Sequence, residues 1–273
     1  MSVGVLAHLM GSLPYRELAV KVREHGFSHV QLALWKAISD VDFNEYGRIS
    51  PGLAMSIANE FQRQDVHISV LGCYLHFFHQ DEAIRRNNVN RFKELIRYAS
   101  LFGAPMVAAE TGSNSVPFTK QDWAIMKNTL EELVEEAEKW GVFVGLEAAH
   151  GHLIGTAPEL AQMLDEVPSS LIGVVIDPGN LLHEGNLEQQ DTVMNEAFSL
   201  LGNHIIGAHA KDRIRVADGT VQTVPAGQGS MNYELYMKLL NQYKPEAHII
   251  METATEEQMA DCKAFIEEIR ARV

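Results

Sequence analysis

The chain is expected to be an α/β protein forming a single (β/α)8 barrel domain over residues 1–273. Three observations predict this. Short apolar runs rich in β-branched residues alternate with stretches of helical periodicity, eight of each. The turn after the first run, AHLMGSLPY, is not the glycine-rich phosphate turn of an open doubly wound sheet. Each of the last four runs ends in a side chain able to ligate a metal: Glu147 in VGLEAAH, Asp177 in VVIDPGN, His209 in IIGAHAKD and Glu252 in HIIMETA.

In chain order, the expected strands are Val3–Ala7, His29–Leu34, His67–Tyr74, Met106–Glu110, Val142–Glu147, Gly173–Asp177, His204–His209 and His248–Glu252. Each is short, apolar and bounded by turn residues, the pattern of a buried strand. The expected helices are Tyr15–His25, Leu53–Gln64, Ala83–Phe102, Lys120–Trp140, Pro158–Asp165, Leu187–Leu201, Tyr233–Tyr243 and Glu256–Arg272. Most place apolar residues at i, i+3 and i+4 with charges between, which gives one buried stripe. In KQDWAIMKNTLEELVEEAEKWG, Trp123, Met126, Leu130, Leu133, Val134 and Ala137 share a face, Thr119 is the expected N-cap and Gly141 the helix stop. No linker, low-complexity segment or composition shift divides the chain.

Hydrophobic content of 46% and charged content of 21% are those of a soluble globular protein. A net charge of −14 argues against nucleic acid or an anionic membrane as the main partner. No stretch is long and apolar enough to span a bilayer. The N-terminal run reads as a first strand and not a signal peptide. Cys73 and Cys262 form no CxxC pair, so a reduced, cytoplasmic protein is the simplest expectation. The long amphipathic helices offer surfaces for a homo-oligomer.

A carboxylate or imidazole at the mouth of a buried strand is costly without a partner. One such residue reads as a structural group making hydrogen bonds. Four in succession, on neighbouring strands at the face where barrels carry their active sites, point to one ion. Three oxygen ligands and one imidazole suit one divalent metal ion: Mn²⁺ foremost, or Mg²⁺, Co²⁺ or Zn²⁺.

On these residues the chain resembles the xylose isomerase-like TIM barrels, in particular the sugar phosphate isomerase/epimerase family. The resemblance covers essentially the whole chain. The family's metal ligands are a Glu, Asp, His, Glu set on the last four strands, matched in order by Glu147, Asp177, His209 and Glu252. AHAKD resembles the family's His-x-Lys-Asp, DPGN its Asp-Pro-Gly-Asn segment, and PAGQGSMNY its Gly-x-Gly turn. Some relatives carry a His three residues after the metal Asp, where this chain has Asn180.

The resemblance implies a metal-dependent sugar, sugar phosphate or keto-polyol isomerase or epimerase. Its reaction moves a proton next to a carbonyl through an enediolate held on the metal. Glu147 and Glu252 are the expected acid/base pair. A dehydratase acting on an inosose begins with the same proton abstraction and is the alternative. An apurinic/apyrimidinic endonuclease shares the scaffold, but the acidic charge and the DPGN segment count against it.

Further residues are candidates for substrate contact. Lys211 shares the face of His209 two residues on, and its alternative is a rim lysine paired with Asp212. His183 follows Asp177 by a short turn, and Glu110 closes the fourth strand. His76 follows the third strand beside Phe77 and Phe78, and His152 lies in EAAHGHLIG, where a substrate contact is favoured over a second metal. His8 and Trp35 have packing roles as alternatives. The Gly-x-Gly turn lacks a P-loop lysine and reads as a tight turn. The late loops carry few cations, which favours a neutral sugar or small acid.

Overall fold

Each of the eight apolar runs becomes a strand in the computed structural model, which describes residues 2–113 and 117–273. In chain order the strands are β1 (Val3–Leu6), β2 (His29–Leu32), β3 (His67–Gly72), β4 (Met106–Glu110), β5 (Phe143–Glu147), β6 (Ile172–Ile176), β7 (Ile205–Ala210), β8 (Asp212–Arg215), β9 (Val221–Val224) and β10 (Ile249–Met251). β1 to β7 and β10 form a closed parallel barrel in which β10 sits between β7 and β1. β8 and β9 pair only with each other, as an antiparallel hairpin.

The helices are α1 (Tyr15–Glu24), α2 (Leu34–Ala37), α3 (Pro51–Arg63), α4 (Glu82–Phe102), α5 (Lys120–Trp140), α6 (Ala157–Glu166), α7 (Pro178–Leu181), α8 (Gln190–Leu201), α9 (Tyr233–Tyr243) and α10 (Met259–Arg272). Helix α5 shows why the periodicity was informative. Thr119 Oγ1 accepts from the Asp122 N–H at 3.2 Å while the Asp122 carboxylate accepts from the Thr119 N–H at 2.8 Å. Gly141 ends the helix with φ +66°, a conformation that favours glycine. Met126, Leu130, Leu133 and Ala137 are buried, and each large side chain contributes about 2 kcal/mol by leaving water.

The short helices α2 and α7 and the β8–β9 hairpin differ from the expected pattern. Four residues are too few for periodicity to register in α2 and α7. The hairpin carries a signal that the strand–helix alternation overrode: Asp218-Gly219 joins its strands, with Gly219 at φ +90°.

A large apolar core lies between barrel and helices. A second, smaller cluster of Val70, Met106, Ala108 and Val175 fills the barrel interior, with Phe143 and Ile206 packed against it. The buried acidic residues Glu147 and Asp177 lie at the C-terminal ends of β5 and β6. No described helix is long and apolar enough to cross a membrane.

Candidate metal and active site

The four strand-end residues converge. Glu147 closes β5, Asp177 follows β6 as the N-cap of α7, His209 lies near the end of β7 and Glu252 directly follows β10. One ligand atom from each lies within 4.8 Å of every other. Glu147, Asp177 and His209 are buried, and Glu252 is slightly more open.

The hydrogen bonds anchor one atom of several of these groups and leave another free. Asn180 Nδ2 donates to Glu147 Oε1, so Glu147 Oε2 is left to face His209 Nδ1 at 3.1 Å. Lys211 Nζ donates to Glu252 Oε2 at 2.6 Å, so Glu252 Oε1 is left to face the same Nδ1 at 3.0 Å. Asp177 Oδ2 pairs with Lys211 Nζ at 2.8 Å, and Oδ1 accepts from the Asn180 N–H at 3.3 Å. His209 Nε2 lies 2.8 Å from Gln31 Oε1; an amide oxygen only accepts, so Nε2 donates. His209 Nδ1 is buried and makes no hydrogen bond, despite its closeness to the two carboxylates.

The charges point the same way. Three carboxylates face two cationic groups, Lys211 and His209. Burial, with the charges of Glu252 and Asp177, pushes the Glu147 carboxyl up to about 7 against the pull of His209. Burial would also raise Glu252, but His209 and Lys211 outweigh it and hold that carboxyl low. Burial disfavours the charged forms of His209 and Lys211, yet the surrounding carboxylates lift both well above their ordinary values. The cluster thus gathers three carboxyl groups around Lys211 and His209. An orphaned imidazole nitrogen and two free carboxylate oxygens within 3.1 Å of it fit a divalent cation.

The other predicted residues differ in how near they lie to this cluster. Lys211 is inside it, paired with Asp177 and Glu252 and not with Asp212 as the rim alternative had it. Asp212 instead accepts from the Gly227 and Met231 N–H groups at 3.1 and 2.9 Å. The backbone of the Gly-x-Gly turn is thereby engaged by a carboxylate of the chain itself. Glu110 pairs in register with Glu147, and its Oε1 lies 3.4 Å from Asn180 Nδ2. His152 Nδ1 accepts from the Gly112 N–H at 3.3 Å, and its ring feels the charges of Glu110 and Lys211. His76 packs edge-on against Phe78, with ring centres 4.3 Å apart, and its Nε2 is buried without a hydrogen bond. Phe77 and Phe78 are core residues. His183 lies farther round the rim, stacked on His150 at 3.8 Å. Trp35 is covered on one face by Arg91, at 4.6 Å, in keeping with a packing role.

A cavity of about 560 Å³ opens beside Glu252, bordered by His8, Leu9, Pro225, Thr253 and Gln258 among others. His8 Nδ1 is buried there without a partner. Thr253 has φ +55°, unusual for a β-branched residue and placed directly after a proposed ligand.

Two residues in this network, Gln31 and Asn180, had no site role in the sequence reading. The signal for Gln31 was present: an uncharged polar side chain inside the apolar run HVQLAL, which burial penalises unless it is hydrogen-bonded.

Comparison with known proteins agrees with this architecture. Among solved structures, a D-tagatose 3-epimerase-like protein superposes with TM-score 0.79 at 21% identity, covering 100% of this chain and 98% of its own. The IolI protein with a bound zinc atom gives 0.78 at 16%, covering 100% and 99%. A xylose isomerase-like barrel from Mycobacterium smegmatis in complex with magnesium gives 0.74 at 17%, covering 94% and 87%. By sequence, an uncharacterized protein of Methanocaldococcus jannaschii is 24% identical over 194 residues, 69% of this chain and 64% of its own. A probable L-ribulose-5-phosphate 3-epimerase of Mycoplasma pneumoniae is 25% identical over 123 residues, 45% of this chain and 37% of its own. These matches span less than two thirds of either relative's length. The profile of the xylose isomerase-like TIM barrels matches residues 19–270, and the chain belongs to that family.

Proposed function

We propose that the chain is a divalent-metal-dependent isomerase or epimerase acting on a sugar, sugar phosphate or keto-polyol, and that residues 1–273 act as one barrel domain. The observation that carries this reading is the convergence of Glu147 Oε2 and Glu252 Oε1 on His209 Nδ1, at 3.1 and 3.0 Å. Glu147, Asp177, His209 and Glu252 would hold the metal, with Mn²⁺ foremost and Mg²⁺, Co²⁺ or Zn²⁺ served by the same donors. Zinc and magnesium in two structural relatives support a divalent ion, and the epimerase names among the relatives support the reaction class.

When bound, such a cation supplies a Lewis acid for the negative charge that develops as a proton leaves a carbon next to a carbonyl. The chain's own residues supply the rest. Glu252, open to the cavity, and Glu147, on the opposite side of His209 in barrel order, are the acid/base pair, one taking the proton and the other returning one. Asn180 and Lys211 hold the outer oxygens of these two carboxylates and so fix where the inner ones point. Lys211, Glu110, His76, His152 and His183 are the proposed substrate contacts, as neighbours of the cluster or of its rim. The buried, unpaired thiols Cys73 and Cys262 support a reduced, cytoplasmic setting.

Glu252→Gln tests the acid/base assignment. The expected result is a loss of turnover of about 10²–10⁴-fold with the fold retained by circular dichroism. Near-normal turnover contradicts the assignment.

A further inference from the structure

The contact between Gln31 and His209 is prepared by three separate features of β2 and β3. The β2–β3 pairing shifts register between Val30 and Gln31, a local irregularity of the kind that re-aims a side chain. Gln31 is thereby buried, with Oε1 2.8 Å from His209 Nε2. Its other amide atom, Nε2, donates to the Tyr74 hydroxyl at 2.5 Å, which fixes the direction of the amide. Gly72 leaves the room for this: a Cβ there would meet Tyr74 Cε2 at 2.9 Å and Gln31 Nε2 at 3.4 Å.

The consequence lies at the opposite nitrogen. A hydrogen on Nε2, given to Gln31, leaves Nδ1 of the neutral ring as a lone pair. That nitrogen is the one facing Glu147 and Glu252. Turned the other way, the amide would favour a hydrogen on Nδ1 and block it as a ligand. We propose that Gln31 is a positioning residue that selects the Nε2–H tautomer of His209 and so presents Nδ1 to the metal, with Tyr74 fixing the amide. The inference rests on the metal site proposed above.

The test begins with the wild-type chain, labelled with ¹⁵N-histidine and loaded with Zn²⁺, which is diamagnetic. Long-range ¹H–¹⁵N spectra should show His209 protonated at Nε2 and metal-bound at Nδ1. Calorimetry on Gln31→Leu should show affinities for Zn²⁺ and Mn²⁺ lowered about 10–100-fold, with the circular dichroism spectrum unchanged. Gln31→Glu should recover wild-type affinity or better, because a carboxylate accepts the same hydrogen. Metal bound through Nε2, or wild-type affinity in Gln31→Leu, overturns the inference and leaves the metal site standing. If Gln31→Leu does not fold, the wild-type spectrum and Gln31→Glu decide: weak binding by Gln31→Glu counts against the inference. If the wild-type chain binds neither ion, the metal site fails and the inference fails with it.

Discussion

Lys211 Nζ sits 2.6 Å from Glu252 Oε2, and the same ammonium reaches Asp177 Oδ2 at 2.8 Å. A buried lysine thus ties together two of the four proposed metal ligands. Its side chain is 7% exposed, so solvent screens the pairs little.

Replacing it with methionine removes the cation that bridges those two carboxylates. Lys211→Met is expected to lower the stability of the metal-stripped protein by about 3 kcal/mol. Added Mn²⁺ should then stabilise the variant more than it stabilises the wild type, because the resident cation no longer competes. Urea unfolding with and without Mn²⁺ measures both effects. Equal stability of variant and wild type without metal contradicts the role given to Lys211.

Asn180 anchors Glu147 and also approaches Glu110. Asn180→Leu keeps the volume and removes the donor. Turnover is expected to fall about 10–100-fold, with KM for substrate changed less and metal affinity also reduced. Steady-state kinetics alongside metal titration would show this. A pure KM effect would place Asn180 on the substrate and not on Glu147.

A second prediction about charge concerns the opposite end of the barrel. His29 stacks on His248 at 3.9 Å, lies 5.4 Å from His67, and has Nδ1 2.9 Å from Ser69 Oγ. Burial, with the neighbouring histidines, lowers its pKa to about 4. The unfolded chain therefore binds the proton more readily between about pH 6.5 and 4. The contribution of His29 to stability is full above that window and is lost as pH falls through it. For a half-buried ring the loss is on the order of 1 kcal/mol after solvent screening. Denaturant midpoints at pH 7 and pH 5 should differ less in His29→Gln than in the wild type; an unchanged difference contradicts the assignment.

The four proposed ligands were legible in the sequence because each ends an apolar run, where an ionisable group is costly without a partner. The barrel was legible because eight such runs alternate with helix-length stretches, and its strands fall on the expected segments to within a few residues. Gln31 is not legible as a site residue, although its place inside HVQLAL poses the same burial problem as Glu147, because an uncharged amide belongs to no ligand motif. Asn180 was noted only as a departure from histidine, since nothing in DPGN shows that its amide reaches across to Glu147 on β5. The pairing of Lys211 with Asp177 and Glu252 depends on three separate strands meeting, and the nearer acid in sequence, Asp212, is engaged by the Gly-x-Gly turn instead.

The most direct test of the central claim is solvent deuterium exchange followed by NMR. The metal-stripped chain is reloaded with Mn²⁺ and incubated in D₂O with a panel of ketoses, ketose phosphates, inososes and hydroxypyruvate, and the ion is removed before spectra are taken. The account predicts deuterium entering at one carbon next to a carbonyl, only in the metal-loaded protein and not in Glu252→Gln, with the product's structure revealing isomerisation, epimerisation or dehydration. No exchange across that panel, in protein shown to bind Mn²⁺ tightly, would contradict it.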